Sequence, residues 1–406
     1  MNKIKVGSDF SGVGAFDQAL KRLEIDYETI FACDMDKHAR KTFIHNYGEP
    51  KYYPENVYDR EIPTESLDIY MTSPPCQSFS LAGKRKGEQD ERGILFYNSH
   101  EFIKVNKPRY FIFENVKGLL SDNGGKTFGR WIELLGGKSV NGNQVIFTDE
   151  NSVPYYIYWK VLNAKNYGVP QNRERVFVIG IRDDADNNFL FPKEQPLIKR
   201  LKDVLENEVD EKYYLSEKQI EYTQVSKFEH SNRIHDIDKI SPTLTTMQGG
   251  GQEPKIKVKS ATSKGYEVAE IGEDSINFEH PNSDTRHGRV GVGVSQTLTT
   301  SCNQGVATIK RIGNYSKSNH NASSIIDRNG ISPTVMENHG TVTAVNTYDY
   351  QIRKITPREC FRLMDFPDSF DFSVVSDSQA YKQAGNSIVV NVLAEIIKKL
   401  NLKERN

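Results

Sequence analysis

Ile4-Lys5-Val6-Gly7-Ser8-Asp9-Phe10-Ser11-Gly12-Val13-Gly14-Ala15-Phe16 is the stretch that decides the fold. A short apolar strand, Ile4 to Val6, runs into a glycine-bearing turn, Ser8 to Gly14, and the turn runs into a helical pattern, Ala15 to Leu23. The alternation then continues. Thr29 to Cys33 is a second apolar stretch, ending at Asp34 and Asp36, and Leu67 to Met71, Tyr110 to Phe113 and Val176 to Ile181 supply three more. Strands alternating with helices predict a doubly wound, mostly parallel sheet in an α/β layer architecture. The apolar run at Tyr110 predicts burial on both faces.

The pattern changes near Asp183. From there to about Asp349 the chain is rich in Ser, Thr, Asn, Gly and His, and short β segments with loops are expected, apart from helical patterns near Leu197 to Leu205 and Ser216 to Val225. A loose repeat runs through this part: Ser241 to Gly249, Ser295 to Gly305 and Ser332 to Gly340 each carry a Thr-Leu or Thr-Val core leading to a polar, glycine-bearing loop. Their uneven spacing argues against a solenoid. The α/β character returns with Thr356 to Met364, where Thr356 as N-cap, Pro357 at N1 and Glu359 at N3 predict a capping box. A terminal helix is expected over Ile388 to Leu400. The domains predicted are 1–185 with 378–406, and 186–377 between them.

The chain has 406 residues, 37% hydrophobic and 26% charged, which fits two or three globular domains and excludes disorder throughout. No apolar run has bilayer length, and Met1 to Phe10 carries no signal-peptide core. The cysteines at 33, 76, 302 and 360 are too dispersed for a CxxC zinc site or a disulfide framework, so no metal and a reducing cytoplasmic setting are expected. Lys and Arg total 53 against 54 Asp and Glu; that balance leaves room for a basic face on nucleic acid.

Five elements carry chemistry. The turn at Phe10 to Gly14 lets backbone approach a ligand and exposes helix N-terminal amides, and Asp34, beyond the next apolar stretch, is where a ribose diol is commonly held; together they suggest a nucleoside ligand. Ser73-Pro74-Pro75-Cys76-Gln77 sets a thiol on a stiff turn past a strand end, with the cationic segment Ala82 to Gly87 after it suited to a lid on a phosphate backbone. A structural cysteine and a solvated loop are the plainer readings. Glu114 in Phe113-Glu114-Asn115-Val116 directly follows a buried strand, where burial would raise its pKa toward that of a proton donor. Arg173 and Arg175 in Gln171 to Arg175 alternate toward one face, to orient Glu114 or a phosphate, or simply to pair with acids. Gln383-Ala384-Gly385-Asn386-Ser387 precedes the terminal helix, and Ser or Asn there could merely cap it.

In this order the elements closely resemble the DNA (cytosine-5)-methyltransferase family of bacterial and phage type. Pro74-Pro75-Cys76-Gln77, Glu114-Asn115-Val116, Gln171-x-Arg173-x-Arg175 and Gly385-Asn386-Ser387 follow the family's order, as does Arg353 to Pro367; the likeness covers roughly the first 180 residues and the last 55. The resemblance implies a Rossmann-like methyltransferase domain with a smaller β-rich target-recognition domain. It implies S-adenosylmethionine as donor, leaving as S-adenosylhomocysteine, held by Phe10, Ser11, Gly12, Val13, Gly14, Asp34, Met35, Asn56, Val57, Pro75, Asn386 and Ser387. Asn56 stands where the family commonly has Asp, so Asp59 is the other candidate for the adenine. Cys76 is the implied nucleophile toward C6 of a flipped-out cytosine, with Glu114, Arg175 and Arg173 as the remaining catalytic residues. Gln77, Lys84, Arg85, Lys86, Arg92, Gln248, Gln252, Asn303, Gln304 and Asn338 are the implied contacts to double-stranded DNA. The implied role is protective, in a restriction-modification system or a phage, with a cognate endonuclease as a partner outside any stable complex and a monomer as the working form. An RNA cytosine-5 methyltransferase and a catalytically inactive DNA-binding homologue share the scaffold; the long middle region favours DNA, and the intact Cys76, Glu114 and Arg175 favour an enzyme.

Overall fold

The computed structural model describes residues 3–75, 91–182, 188–199, 201–213, 255–259, 266–270, 274–277, 288–298, 304–310, 349–400 and 402. Expectations at Cys76, Gln77, Lys84, Arg85, Lys86, Gln248, Gln252, Asn303 and Asn338 lie outside these residues, as do the helix expected over 216–225 and the repeats starting at 241 and 332. Two compact units are present: Met1–Ile198 with Thr299–Ser301 and Cys360–Asn406, and Lys199–Leu298 with Cys302–Glu359. The division therefore falls at 198 and 360, where the sequence reading draws it at 185 and 378.

The first unit is built on strands β1 (Ile4–Asp9), β2 (Tyr27–Cys33), β3 (Ile69–Thr72), β4 (Tyr110–Val116), β5 (Ser139–Val140), β6 (Asn143–Gln144) and β7 (Tyr155–Asn163), the two-residue β8 (Gln171–Asn172), and β9 (Glu174–Arg182). All but β8 join one eight-stranded sheet in the order β2-β1-β3-β4-β9-β7-β5-β6. The β2-β1-β3-β4 half is parallel. Beyond it β7 and β5 pair in parallel again, so six of the eight strands share one direction, as expected of a mostly parallel sheet; β6 is reversed against β5, and β9 against both β4 and β7. The reason is connection length: only Ala164–Arg173 separates β7 from β9, too little chain for a helical crossover. β7 itself, Tyr-Tyr-Ile-Tyr-Trp-Lys-Val-Leu-Asn, is a strand that the apolar runs did not single out, because it is only half-buried. β4 is buried over six of its seven residues, as its apolar run predicts.

Helices cover the sheet: α1 (Ala15–Arg22), α2 (Lys37–Tyr47), α3 (Glu91–Asn106), α4 (Lys126–Leu135), α5 (Pro357–Leu363), α6 (Asp377–Asn386) and α7 (Val390–Ile397). Asp36 caps α2 by accepting from the His38 and Ala39 amides. Aromatic stacking binds α3 and α4 to β4: the Phe96 and Trp131 rings lie 4.1 Å apart and near-coplanar, with Phe113 edge-on to both. The apolar α7 packs against α1, and Arg22 of α1 forms an ion pair with Asp365 after α5, so the far end of the chain completes the first layer. The capping box forms as predicted: Thr356 Oγ1 accepts from the Glu359 amide at 3.2 Å and the Glu359 carboxylate accepts from the Thr356 amide at 2.7 Å.

The second unit is β-rich among its described residues. β10 (Lys255–Lys259) pairs antiparallel with β11 (Tyr266–Glu270). β12 (Ser275–Asn277), β13 (Val290–Gly291), β15 (Gln304–Lys310) and β16 (Asp349–Lys354) form an antiparallel sheet in the order β13-β12-β15-β16, and β14 (Ser295–Gln296) lies between β13 and β15 in sequence. The helix expected near Leu197 is a single 3-10 turn, Leu201–Val204. Gln304 corrects a second expectation. It is 2% exposed, accepts from the Gln296 amide at 3.1 Å, and donates to the Gln296 and Thr297 carbonyls at 3.1 Å each. Its amide closes the turn of the repeat and has no group left for a base edge. No helix among the described residues is long and apolar enough to cross a membrane.

Candidate active site

The turn after β1 takes its shape from three left-handed residues, Phe10 (φ 57), Gly12 (φ 56) and Gly14 (φ 83). A Cβ on Gly14 would lie 2.3 Å from the Tyr47 ring, whereas Gly12 faces open space. Asp34 fastens the turn: its carboxylate accepts from the Gly12 amide at 2.7 Å and the Asp36 amide at 2.8 Å. Burial raises the Asp34 pKa, the two backbone amides work against that rise, and Asp36 adds to it. The neighbouring Met35 is 79% exposed, an apolar side chain left open beside an acid. Ser11 Oγ lies 3.2 Å from the Tyr53 hydroxyl, and Arg40 holds the Tyr53 and Pro54 carbonyls at 2.7 and 2.9 Å. Val13 and Val57 are buried. Asn56 accepts from the Tyr58 amide at 3.1 Å, shaping its own turn, and Asp59 is exposed.

An open glycine face, a carboxylate with remaining lone pairs and an exposed apolar side chain are the parts a nucleoside needs: hydrogen bonding for a diol and a surface for a purine. The residues present fit S-adenosylmethionine. Asn386, exposed at the end of α6, belongs to the same neighbourhood because α6 is tied to α2, where Lys382 meets Asp36 at 2.6 Å and Gln383 accepts from Thr42 at 3.1 Å. Ser387 is buried.

The second cluster sits at the end of β4. Glu114 is 6% exposed, and Arg175 Nε of β9 lies 3.1 Å from its Oε1. Burial raises the Glu114 pKa; Arg175 and then Arg173 pull it back in part. Asn115 donates to the Pro74 carbonyl at 3.2 Å, so the strand that carries Glu114 also anchors the Ser73-Pro74-Pro75 turn leading to Cys76. This tether is a functional contact the sequence reading missed. Arg92 lies in the first turn of α3.

Arg173 has main-chain partners besides its pull on Glu114. It is 4% exposed, and its Nη2 donates to the Gly385 carbonyl at 3.0 Å and the Ser387 carbonyl at 2.7 Å. Its reach is to the turn around Asn386, so it acts as a brace. Gln171 does similar work, donating to the Leu363 carbonyl at 2.6 Å. Glu174 turns outward to Lys117, at 3.1 and 3.0 Å.

A family model described as C-5 cytosine-specific DNA methylase matches residues 4–402. The orphan methyltransferase M.SPRI of Bacillus phage SPR is 32% identical, with 98% of each chain covered. The type II methyltransferase M.HpaII of Haemophilus parainfluenzae is 30% identical over 96% of this chain and 87% of its own. Among solved structures, the Entamoeba histolytica methyltransferase EhMeth superposes with a TM-score of 0.55 at 16% identity, covering both chains fully. S. pombe Dnmt2 gives 0.52 at 17% identity over 98% of each chain. At such identities the structural likeness speaks to the fold alone.

Proposed function

The chain belongs to the C-5 cytosine-specific DNA methylase family, and from that premise we propose that it methylates C5 of a cytosine turned out of duplex DNA, with Cys76 as a transient covalent catalyst. The observation that carries this reading is the pairing of buried Glu114 with Arg175 on the strand whose Asn115 holds the turn before Cys76. S-adenosylmethionine, bound by Phe10 to Gly14, Asp34, Met35, Asn56 or Asp59, Val57, Pro75, Asn386 and Ser387, supplies an electrophilic methyl group.

The pyrimidine C5 is too electron-poor to react unaided. The Cys76 thiolate adds at C6, and the electron pair of the C5–C6 double bond becomes available at C5. Glu114, whose pKa burial raises, donates to N3 in its protonated form and stabilises the charge that develops on the ring. Arg175 holds both the Glu114 carboxyl and the pyrimidine O2. C5 would then take the methyl group as the donor's sulfonium leaves as a thioether, and loss of the C5 proton to water lets Cys76 depart. The base must leave the stack for this, at a cost of about a few kcal/mol. Contacts from Gln77, Lys84, Arg85, Lys86 and Arg92 to the DNA backbone offset that cost. The second unit serves as target-recognition domain, with Gln248, Gln252, Asn303 and Asn338 as its candidate readers. The phage and type II relatives support a protective role, exerted beside an endonuclease without forming a lasting complex with it.

Bisulfite sequencing of DNA from cells expressing the chain tests the reading: protected cytosines at one short motif are expected. A duplex carrying 5-fluorocytosine at that motif should become covalently joined to the wild type and not to Cys76→Ser. Absence of both protection and trapping would refute the function.

A further inference from the structure

No step above uses the ion pair beneath the glycine turn. Asp9 ends β1, one residue before Phe10, and its side chain is fully buried; the Arg60 side chain is 2% exposed, with Nε 3.0 Å from Asp9 Oδ1. Tyr70 donates to the other Asp9 oxygen at 2.6 Å. The Arg60 guanidinium lies 4.6 Å from the Phe102 ring and 5.8 Å from the Phe31 ring, and the Tyr70 and Phe102 rings stack at 4.1 Å. Nη2 reaches the Asn98 carbonyl of α3 at 3.4 Å.

For packing alone, two apolar side chains of similar volume would serve as well or better, because a buried pair must offset the desolvation of both charges. What the pair adds is direction. Asp9 is continuous with Phe10, whose φ of 57 is a strained conformation for a residue with a side chain. Arg60 directly follows the Asn56–Asp59 turn, which is closed by the Asp59 amide donating to the Asn56 carbonyl at 3.2 Å. The pair therefore joins two segments that face the same ligand. We propose that Asp9 and Arg60 are positioning residues that hold the Asn56–Val57 turn at a fixed spacing from the Phe10–Gly14 turn, so that both sides of the nucleoside site stand ready before the cofactor arrives. The proposal rests on the reading of that site as the S-adenosylmethionine site. Arg60 touches no reacting atom, so its effect falls on cofactor affinity rather than turnover.

The test compares wild type, Arg60→Met, Asp9→Leu, the double variant Asp9→Leu/Arg60→Met and Arg60→Lys, by calorimetric binding of S-adenosylhomocysteine, thermal melting and steady-state kinetics. Each of the two single apolar variants strands a buried charge and should melt lower. The double variant should regain the melting temperature yet bind about tenfold more weakly, the loss expected of one charged hydrogen bond. The KM for S-adenosylmethionine should rise in step, with kcat and the KM for DNA unchanged. Wild-type affinity in the double variant overturns the proposal. If the double variant does not regain its melting temperature, Arg60→Lys decides: affinity restored above that of Arg60→Met supports the pair, and affinity as weak as Arg60→Met overturns it. Failure of the wild type to bind S-adenosylhomocysteine overturns the cofactor reading itself, and the role of the pair with it.

Discussion

Asp34, partly buried, and Glu114, buried, are carboxylates of the first unit, both with raised pKa values, and they are held in opposite ways. Asp34 spends its oxygens on two backbone amides, those of Gly12 and Asp36. Glu114 faces a guanidinium on the neighbouring strand. Backbone amides cannot titrate or swing away, so Asp34 is a fixed acceptor that shapes a turn. Side-chain charges leave the proton of Glu114 under the control of burial, which raises its pKa, and of Arg175 and Arg173, which lower it; such a balance suits a group that must hold a proton for a substrate.

The sharpest test of that difference is Glu114→Gln. The amide still bonds Arg175 but carries no acidic proton, so kcat should fall by about 10²-fold or more with the KM for S-adenosylmethionine unchanged, measured by methyl incorporation. The same variant reads the linkage. Glu114 has a folded pKa above its unfolded value, so the folded state binds the extra proton, and its contribution to stability is lost as pH rises from the unfolded value through the folded one. Melting of the wild type relative to Glu114→Gln should therefore worsen as pH rises above the ordinary carboxylate range. A pH-independent gap would mean that Glu114 titrates normally.

Asp34→Asn should do the reverse in kinetics. It keeps one acceptor for the turn but loses the charge for a diol, raising the KM for S-adenosylmethionine about tenfold with little change in kcat. A collapse of kcat instead would erase the distinction between the two acids. Arg173→Met comes next. It frees the carbonyls around Asn386 and removes one of the charges that lower the Glu114 pKa, so it should cost about 2 kcal/mol of stability, raise the cofactor KM a few-fold and shift the alkaline limb of the rate to higher pH. Gln304→Ala should have the smallest effect on activity: a loss of about 1–3 kcal/mol on unfolding, with the methylated motif unchanged in sequencing. A changed motif would return Gln304 to the DNA.

The glycine turn, Asp34, Glu114 and the Thr356 capping box were legible because each is a local pattern, complete within a few residues. The reversal of β9 was not, because strand direction depends on how short the Ala164–Arg173 connection is in space. The bracing contacts of Arg173 and Gln171 were hidden for a related reason. Their partners at Gly385, Ser387 and Leu363 lie far along the chain and offer only carbonyl groups, which no side-chain pattern announces. Asp9 and Arg60 looked like two more charged residues, and only burial together makes them a unit. Gln304 sits in a polar, glycine-bearing repeat, the composition expected of a reading loop, and its burial comes from the turn it closes.

The docking of α6 on α2 and of α7 on α1 has a consequence for biosynthesis. The turn at Asn386, proposed above as part of the cofactor site, is translated long after the glycine turn, so on that reading a nascent polypeptide on the ribosome has half a pocket until residues 377–397 emerge. Methylating competence therefore arrives all at once when that segment has been made, and a message cut short upstream of it yields no partly active product.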